Sequence, residues 1–372
     1  MMEPIDLSTR TALVLALTFG LSAVFGGIAH RTHFCTMGAI SDVVVMGDWT
    51  RVRQWALALS VAILGFGLLS GFGLIHPDDA LYASQRWSWL SSLCGGGMFG
   101  FGMVLASGCG NKTLVRIGGG NLKALVVFVV MAIAAFATLK GLTAVWRTNT
   151  VDRVHYDFNS ILTLPHIGSK LLGQTFTSVA VGMSVILSLL LAGWVFASKD
   201  FWQWKNLVAG LGLGGVIVAM WWVSGALGYM PEHPMTLEPT YLATNSGRME
   251  ALTFTAPMAY AIDWLMFYSD ANKRLTLAVV AVAGVVSGAA VDALATRQFR
   301  WEGFRTTGDL GNHLVGAVLM GVGGVTAMGC TVGHGLSGLS VLSLNSVTAI
   351  AAIVAGAWLA LRIQLWRLER AA

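Results

Sequence analysis

Long apolar runs constrain the fold of this chain more than any other feature of its sequence. A transmembrane helix needs about 20 predominantly apolar residues, and only 11% of the residues in this chain are charged. About nine runs meet the requirement: Thr11–Ala29, Gln54–Ile75, Trp89–Ala106, Leu122–Val145, Leu171–Phe196, Leu207–Tyr229, Leu275–Leu294, Leu310–Met328 and Leu344–Leu365. The sequence therefore predicts an all-α polytopic membrane protein, with residues 1–372 forming a single membrane domain.

Three further apolar stretches are too short or too polar to cross a bilayer. They are Phe34–Met46, Leu252–Met266 and Leu336–Leu344. Such pieces persist at membrane depth only when they are buried in protein or line a cavity, so we expect short re-entrant or interfacial helices there. The first long run follows Glu3 and Asp6 rather than a basic segment, which favours a retained helix over a cleaved signal peptide.

The chain contains an internal repeat at an offset of 221 residues. This offset places Gly108 on Gly329 and Cys109 on Cys330. Without gaps it also aligns Ala106 with Ala327, Gly100 with Gly321, Gly102 with Gly323, Gly95 with Gly316, Met37 with Met258 and Asp42 with Asp263. One offset shared by distant blocks predicts two homologous halves, 11–200 and 207–372.

Basic residues indicate how the halves enter the membrane. They lie in short loops and form no continuous patch, so the net charge of +5 gives no reason to expect a nucleic-acid partner. With the N-terminus outside, the inner loops hold the larger set: Arg31, Arg51, Arg53, Lys112, Arg116, Lys123, Lys199, Lys205, Arg297, Arg300, Arg305, Arg367 and Arg370. The positive-inside rule then predicts a cytoplasmic C-terminus. About five spans in the first half would make the halves inverted repeats, with a ligand path between them at mid-membrane.

The first repeated motif places Cys109 between Gly108 and Gly110, followed by Asn111 and Lys112. Glycines let backbone N–H groups point at a ligand, and the start of a following short helix adds partial positive charge, so the motif indicates an anion site. The same field would favour a thiolate, which repels an anion. For transit of an anion we favour a neutral thiol with its weak S–H donor. The alternative, a small buried packing residue, leaves the glycine context and the repeat unexplained.

The second motif places Cys330 after Gly329 and before Gly333 and His334. His334 could donate a hydrogen bond to an anion or share a proton with Cys330. A histidine near a helix end is more often satisfied by a backbone carbonyl, and both interpretations stay open.

The other two cysteines have no cysteine at the matching position of the repeat. Cys35 aligns with Ala256, so packing does not require a thiol there, and this favours a chemical role. Cys94 aligns with Val315, and we interpret it as a packing residue. None of the four cysteines has the spacing of a zinc site or a disulfide framework, so we expect free thiols and no metal.

Asp42 and Asp263 are acidic residues inside apolar stretches. Intramembrane acids are often functional, but the presence of the acid in both halves favours a role in capping short helices. The chain contains no Walker motif, no paired catalytic carboxylates and no Ser-His-Asp order. We therefore expect no cofactor and no ATP-driven or other enzymatic activity.

The cysteine motifs resemble the YeeE/YedE family of bacterial inner-membrane proteins, which includes thiosulfate-uptake permeases. The resemblance covers nearly the whole chain. Its carriers are Arg31–Cys35 with Gly38 and Asp42, Gly108–Asn111 with Arg116–Gly120, and Leu319–Gly321 with Gly329–Leu336. It implies an hourglass-shaped fold of inverted halves, in which thiosulfate passes between cysteine thiols through transient S–H to sulfur hydrogen bonds. By motif, the path cysteines are Cys35, Cys109 and Cys330.

Two functional hypotheses follow from the residues and the resemblance together. The first is a permease that imports thiosulfate or a related small sulfur anion. The alternative is a membrane sulfurtransferase, in which a cysteine persulfide passes sulfur to a cytoplasmic acceptor. Relatives in this family often work with a cytoplasmic TusA-like sulfurtransferase. No such domain follows the last span, so we expect any such partner to be a separate protein. The loop Arg147–Lys170 receives no role from the sequence.

Overall fold

The computed structural model describes residues 7–232, 237–270, 272–304 and 306–371, and most of them are helical. The helices are α1 (Leu7–Thr32), α2 (Thr36–Met46), α3 (Thr50–Gly71), α4 (Trp89–Leu105), α5 (Gly110–Gly118), α6 (Leu122–Lys140), α7 (Leu142–Asn149), α8 (Leu164–Leu172), α9 (Phe176–Phe196), α10 (Trp204–Leu207), α11 (Leu213–Trp222), α12 (Thr255–Met266), α13 (Leu277–Ala295), α14 (Thr307–Thr326) and α15 (Leu344–Ala371). Two π-helical turns, Val208–Gly212 and Val223–Leu227, extend α10 and α11 into one continuous rod.

The strands are two short antiparallel pairs. β1 (Arg86–Trp87) pairs with β2 (Tyr156–Asp157), and β3 (Tyr229–Met230) pairs with β4 (Thr240–Tyr241). Each strand has only two residues. Such pairs fix loop positions and cannot form a core of their own.

Within the described ranges, eight helical stretches are long and apolar enough to cross a membrane by length and composition. The prediction of an all-α polytopic membrane protein is therefore confirmed. The remaining predicted run, Leu310–Met328, corresponds to α14, a 20-residue helix that packs against α4 and α6. Its first turns carry Asp309 and His313, which make it less apolar than the other spans.

The long helices pack in matched pairs. α1 packs against α13 while α3 packs against α11, and α4 packs against α15 while α6 packs against α14. α4 and α14 also pack against each other, and a Cβ atom on Gly323 would lie 2.6 Å from the carbonyl oxygen of Gly95. The pairs α4–α15 and α14–α6 exchange under the 221-residue offset, so these contacts support the proposal of two homologous halves. α1 and α11 do not overlap under that offset.

Short helices lie between the long ones. α2 and α12 form within the stretches predicted to be short helices. In the third stretch the helix begins earlier than predicted: residues 331–340 are helical, and Gly333–Gly338 form a π-helix. This helix over residues 331–340 occupies the position of α5 under the 221-residue offset.

Two predictions about local structure are wrong. The run Leu122–Val145 does not form one helix, because Gly141 is extended and separates α6 from α7. Asp42 does not cap α2, since Cys35 is the N-cap of that helix and the carboxylate of Asp42 lies 3.3 Å from Arg51 Nε.

Asp263 likewise forms an ion pair, with Lys273, rather than a helix cap. Both acids lie well inside their helices, beyond the reach of the N–H groups of the first turn. The offset therefore relates the two acids, and each pairs with a basic residue in the segment after its short helix, although Arg51 and Lys273 are one position out of register.

The thiol cluster and its two cavities

The two cysteine motifs follow helix ends of the same shape. Ser107 and Met328 both adopt positive φ angles, of 56° and 66°. In each case the next glycine donates its N–H back into the helix, from Gly108 to Met103 and from Gly329 to Gly324, both at 2.8 Å. A left-handed residue other than glycine costs about 1–2 kcal/mol. Both motifs nevertheless contain such a residue, and both turns place a cysteine at the start of the next short helix.

Cys330 is completely buried, and its sulfur accepts hydrogen bonds from two backbone groups. The N–H of Phe254, at the start of α12, donates at 3.3 Å, and the N–H of Gly333 donates at 3.4 Å. The Thr253 hydroxyl lies 3.7 Å from the same sulfur. All three groups around the Cys330 thiol are neutral, and they come from two different elements.

Cys109 is the N-cap of α5, and its thiol contacts the thiol of Cys35. Lys112 follows Cys109 at the position that Gly333 has after Cys330, but the Cys109 side chain makes no capping hydrogen bond to α5, whereas the Cys330 sulfur accepts one from the N–H of Gly333. Cys35 begins α2, and its sulfur accepts a hydrogen bond from the N–H of Gly38 at 3.4 Å.

The two halves meet where the Thr331 hydroxyl faces the Cys109 thiol. Because Thr331 directly follows Cys330, the chain brings Cys35, Cys109 and Cys330 into one buried group. We call these three residues and Thr331 the thiol cluster. Each of the three thiols is at most 1% exposed.

Several buried polar atoms around the thiol cluster have no hydrogen-bond partner of ordinary geometry among the described residues. They are both amide atoms of Asn111 and the hydroxyls of Thr36, Tyr82, Thr255 and Thr331. Burying a polar group without a partner costs about 1–3 kcal/mol. A polar ligand that passed through this region would satisfy such groups. The four hydroxyls were missed by the sequence reasoning, which looked for residues shared by the two halves.

One cavity of about 290 Å³ lies beside the thiols of the first half. Its lining includes Phe34, which directly precedes Cys35, and Lys112, which lies three residues after Cys109. Arg116 and Arg300 also line it. Lys112 and Arg116 form no ion pair among the described residues. We call this space the Lys112 cavity; Glu302 is the carboxylate in its wall, so its lining is mainly cationic.

A second cavity of about 200 Å³ lies beside Cys330. Thr253 and Gly329 line it together with Arg147 and Glu250. We call this space the Arg147 cavity. Arg147 belongs to α7, so the segment Arg147–Lys170, which had no role in the sequence, begins with a residue in the wall of this cavity.

His334 has a structural position in the second motif. One of its ring nitrogens lies 2.6 Å from the Ala327 carbonyl and the other 3.0 Å from the Ser346 hydroxyl. Both nitrogens are therefore engaged, and the ring ties the end of α14 to the first turns of α15. This geometry favours the carbonyl-satisfied interpretation of His334.

The glycines of the motifs fit closely among these side chains. A Cβ atom on Gly333 would lie 2.5 Å from the Thr253 hydroxyl and 2.6 Å from the Tyr82 hydroxyl. A Cβ atom on Gly110 would meet only the ends of flexible side chains, the nearest being Met131 Cε at 3.4 Å. The close approach of the two hydroxyls therefore requires glycine at position 333, whereas a larger residue would meet less obstruction at position 110.

Cys94 differs from the prediction of a packing residue, because its side chain is exposed. The next two residues, Gly95 and Gly96, turn toward α14 and α15, which leaves Cys94 on the outer face of α4. It lies apart from the thiol cluster and provides a natural control position.

The fold and this site define a multi-pass helical membrane protein with a buried thiol cluster close to two cavities that each contain charged side chains. The model of the Sulphur transport family matches residues 31–359, and the chain belongs to that family. The suspected relationship to the YeeE/YedE proteins is confirmed at the level of the family.

Two relatives are similar over nearly the whole chain, and a third is similar over part of it. The thiosulfate transporter TsuA of Escherichia coli is 27% identical over 361 residues, 94% of each chain. The thiosulfate transporter TsuA of Spirochaeta thermophila is 26% identical over 349 residues, 90% of this chain and 94% of the relative. The probable transporter YedE of Escherichia coli is 28% identical over 104 residues, 28% of this chain and 24% of that protein.

Proposed function

We propose that this protein is a permease that imports thiosulfate, or a closely related small sulfur-containing anion, across the bacterial inner membrane. The observation that carries the proposal is the thiol cluster, which joins residues of the two proposed halves and has one cavity with charged side chains near Cys35 and another near Cys330. Family membership and the two TsuA relatives support the same substrate.

The proposed path runs from the Arg147 cavity to the Lys112 cavity. The anion would pass Cys330, then Cys109 and Cys35, with Asn111 and Thr331 supplying polar atoms that otherwise have no partner. Thiols suit transit because they are polarizable and donate only weakly, so they bind an anion and also release it.

The orientation follows from the charges around the two cavities. The cationic Lys112 cavity is lined by residues from loops rich in Arg and Lys, so by the positive-inside rule it faces the cytoplasm, as does the C-terminus. The Arg147 cavity then opens to the outer side and receives the anion. A cytoplasmic TusA-like sulfurtransferase would meet the product at the Lys112 cavity.

The geometry favours transport over the sulfurtransferase alternative. In that alternative a thiolate would attack the outer sulfur of thiosulfate, forming a persulfide and releasing sulfite. A cytoplasmic acceptor must then reach the persulfide, but the thiols of Cys35, Cys109 and Cys330 are all buried. In the proposed path a small anion approaches them from the cavities, whereas a protein acceptor would need a large rearrangement to reach them.

Uptake of labelled thiosulfate into proteoliposomes tests the proposal. Wild-type protein should accumulate the label, Cys109→Ala and Cys330→Ala should reduce uptake to the level of empty liposomes, and Cys94→Ala should match wild type. Full uptake by both cluster variants would overturn the proposed path. Mass spectrometry after exposure to thiosulfate separates the two activities, because a stable gain of one sulfur on Cys109 would indicate the enzyme.

A further inference from the structure

We infer that the Arg147 cavity is the binding site at which the sulfur dianion first enters the protein, and that the dianion binds there with Glu250 in its protonated form. This inference rests on the proposed function and adds to it a role for protons. It concerns Glu250, a residue that neither the cysteine motifs nor the repeat singles out.

Glu250 is an acid in the wall of a site that otherwise suits anions. Its side chain lines the Arg147 cavity together with Arg147, Ser246 and Thr253. The residue is only 9% exposed and has no ion-pair partner among the described residues. A buried carboxylate without a counter-ion is unfavourable, and a dianion placed in the same cavity would repel it.

The hydrogen bonds to the Glu250 carboxylate come from one short segment. Its carboxylate accepts hydrogen bonds from the backbone N–H and the hydroxyl of Ser246, the former at 3.0 Å, and from the backbone N–H of Asn245. Burial raises the pKa of Glu250, and these hydrogen bonds oppose the rise without cancelling it. The Glu250 carboxyl is therefore easier to protonate than an exposed glutamate.

Among the groups that line the cavity with Glu250, the cation is Arg147. Arg147 approaches from α7, but its Nε lies 3.3 Å from Asp152, so it is partly neutralised. Tyr260 approaches from α12, and Tyr82 approaches from the segment between α3 and α4.

The remaining neighbours are apolar residues of α11 and α13, namely Met220, Leu277, Ala278 and Ala281. Neutral neighbours cannot compensate the three negative charges of a dianion and a carboxylate in one small cavity. Protonation of Glu250 removes one of the three.

Linkage gives the direction of the pH effect. If the dianion binds only when Glu250 is protonated, the KM for uptake rises with outer pH above the pKa of Glu250, by up to about tenfold per pH unit. Thiosulfate is itself fully ionised throughout the relevant range, so its own titration contributes nothing to the change.

The first test measures the KM for labelled thiosulfate in proteoliposomes with the inner pH fixed and the outer pH varied from about 5 to about 8, where a carboxyl with a raised pKa titrates. In the wild type KM should rise several-fold toward the alkaline end. In Glu250→Gln, which mimics the protonated form and keeps the acceptor for Ser246, KM should stay near the acidic wild-type value. Asp200→Asn, an exposed acid elsewhere, should behave as wild type.

The outcomes separate this inference from the proposed function. A wild-type KM that does not change with outer pH, or a Glu250→Gln variant that keeps the full pH dependence, would overturn the role of Glu250 while thiosulfate transport stands. Absence of thiosulfate uptake by the wild type would refute the proposed function instead.

A second test does not depend on transport. Infrared difference spectra of the purified protein should show a protonated carboxyl band that strengthens when thiosulfate is added and is missing in Glu250→Gln. A wild-type spectrum in which thiosulfate leaves that band unchanged would contradict the inference, whatever the uptake assay shows.

Discussion

The ends of α4 and α14 share one backbone geometry but hold their cysteines in different chemical surroundings. Ser107 and Met328 make the same left-handed turn, and the glycine after each closes the same hydrogen bond. Beyond the turn the two ends diverge. Cys109 lies against another thiol and is followed by Lys112, whereas Cys330 lies against neutral donors and has Gly333 in the matching position.

The difference separates what the repeat requires from what transport requires. The turn is needed in both halves because it directs a cysteine toward the centre. The Lys112 cavity has an excess of cationic side chains. In the Arg147 cavity the cation, Arg147, is paired with Asp152. Matching turns thus place the two cysteine motifs in differently charged surroundings.

Serine substitutions test whether both halves contribute a sulfur. Cys109→Ser and Cys330→Ser should each lower the initial rate of thiosulfate uptake by at least about tenfold, because a hydroxyl keeps the hydrogen-bond acceptor but lacks polarizable sulfur. Melting temperatures should stay close to wild type, and Cys94→Ser should transport normally. A variant that retained full uptake at one position would show that the anion uses the thiol of only one half.

Alanine substitutions at the paired glycines should have unequal effects on stability. A Cβ atom on Gly329 would lie 2.8 Å from the His334 ring, which two hydrogen bonds hold in place. Gly329→Ala should therefore lower the free energy of unfolding by about 1–3 kcal/mol.

At the matching position the obstacle is flexible. A Cβ atom on Gly108 would lie 2.9 Å from Lys112 Cγ, in a side chain that can move aside. Gly108→Ala should cost less than about 1 kcal/mol. Thermal unfolding in detergent measures both variants, and a lower melting temperature for Gly108→Ala than for Gly329→Ala would contradict the comparison.

Removing the charge of Lys112 tests the asymmetry of the two cavities. A partly exposed charge contributes about 0.5–1 kcal/mol, so Lys112→Met should reduce uptake by a factor of roughly two to five. The reduction should be smaller at high salt, where screening already weakens the attraction. Lys199→Met, an exposed lysine elsewhere, is the control. Equal effects of the two substitutions would show that Lys112 acts only through the overall charge.

The smallest expected effects concern the ion pairs of the two short helices. Asp42→Asn and Asp263→Asn each remove one member of a partly exposed pair and should lower stability by at most about 1 kcal/mol. Because Asp42 and Asp263 occupy matching positions and each has one basic partner, the two changes in melting temperature should be similar. A large loss at only one position would indicate that this acid has a role beyond pairing.

The sequence alone was sufficient for the class of fold. Apolar runs of membrane-spanning length depend only on local composition, and the predicted spans agree with the long helices except where Gly141 ends α6. The short helices α2 and α12 were also predicted, since their runs are apolar but short. The proposed halves rest on the 221-residue offset, which the sequence displays directly.

The tertiary structure decided which side chains meet. The sequence singled out Cys109 and Cys330 by their repeated motif, but it could not bring Cys35 against Cys109 or place Thr331 between the two halves. It also misjudged Cys94, because which face of α4 packs depends on where α14 and α15 lie. Glu250 and Arg147 entered the site only when the folded chain brought them to one cavity. The physical reason is that hydropathy and turn geometry are local properties, whereas cavities and buried contacts arise from residues far apart in the chain.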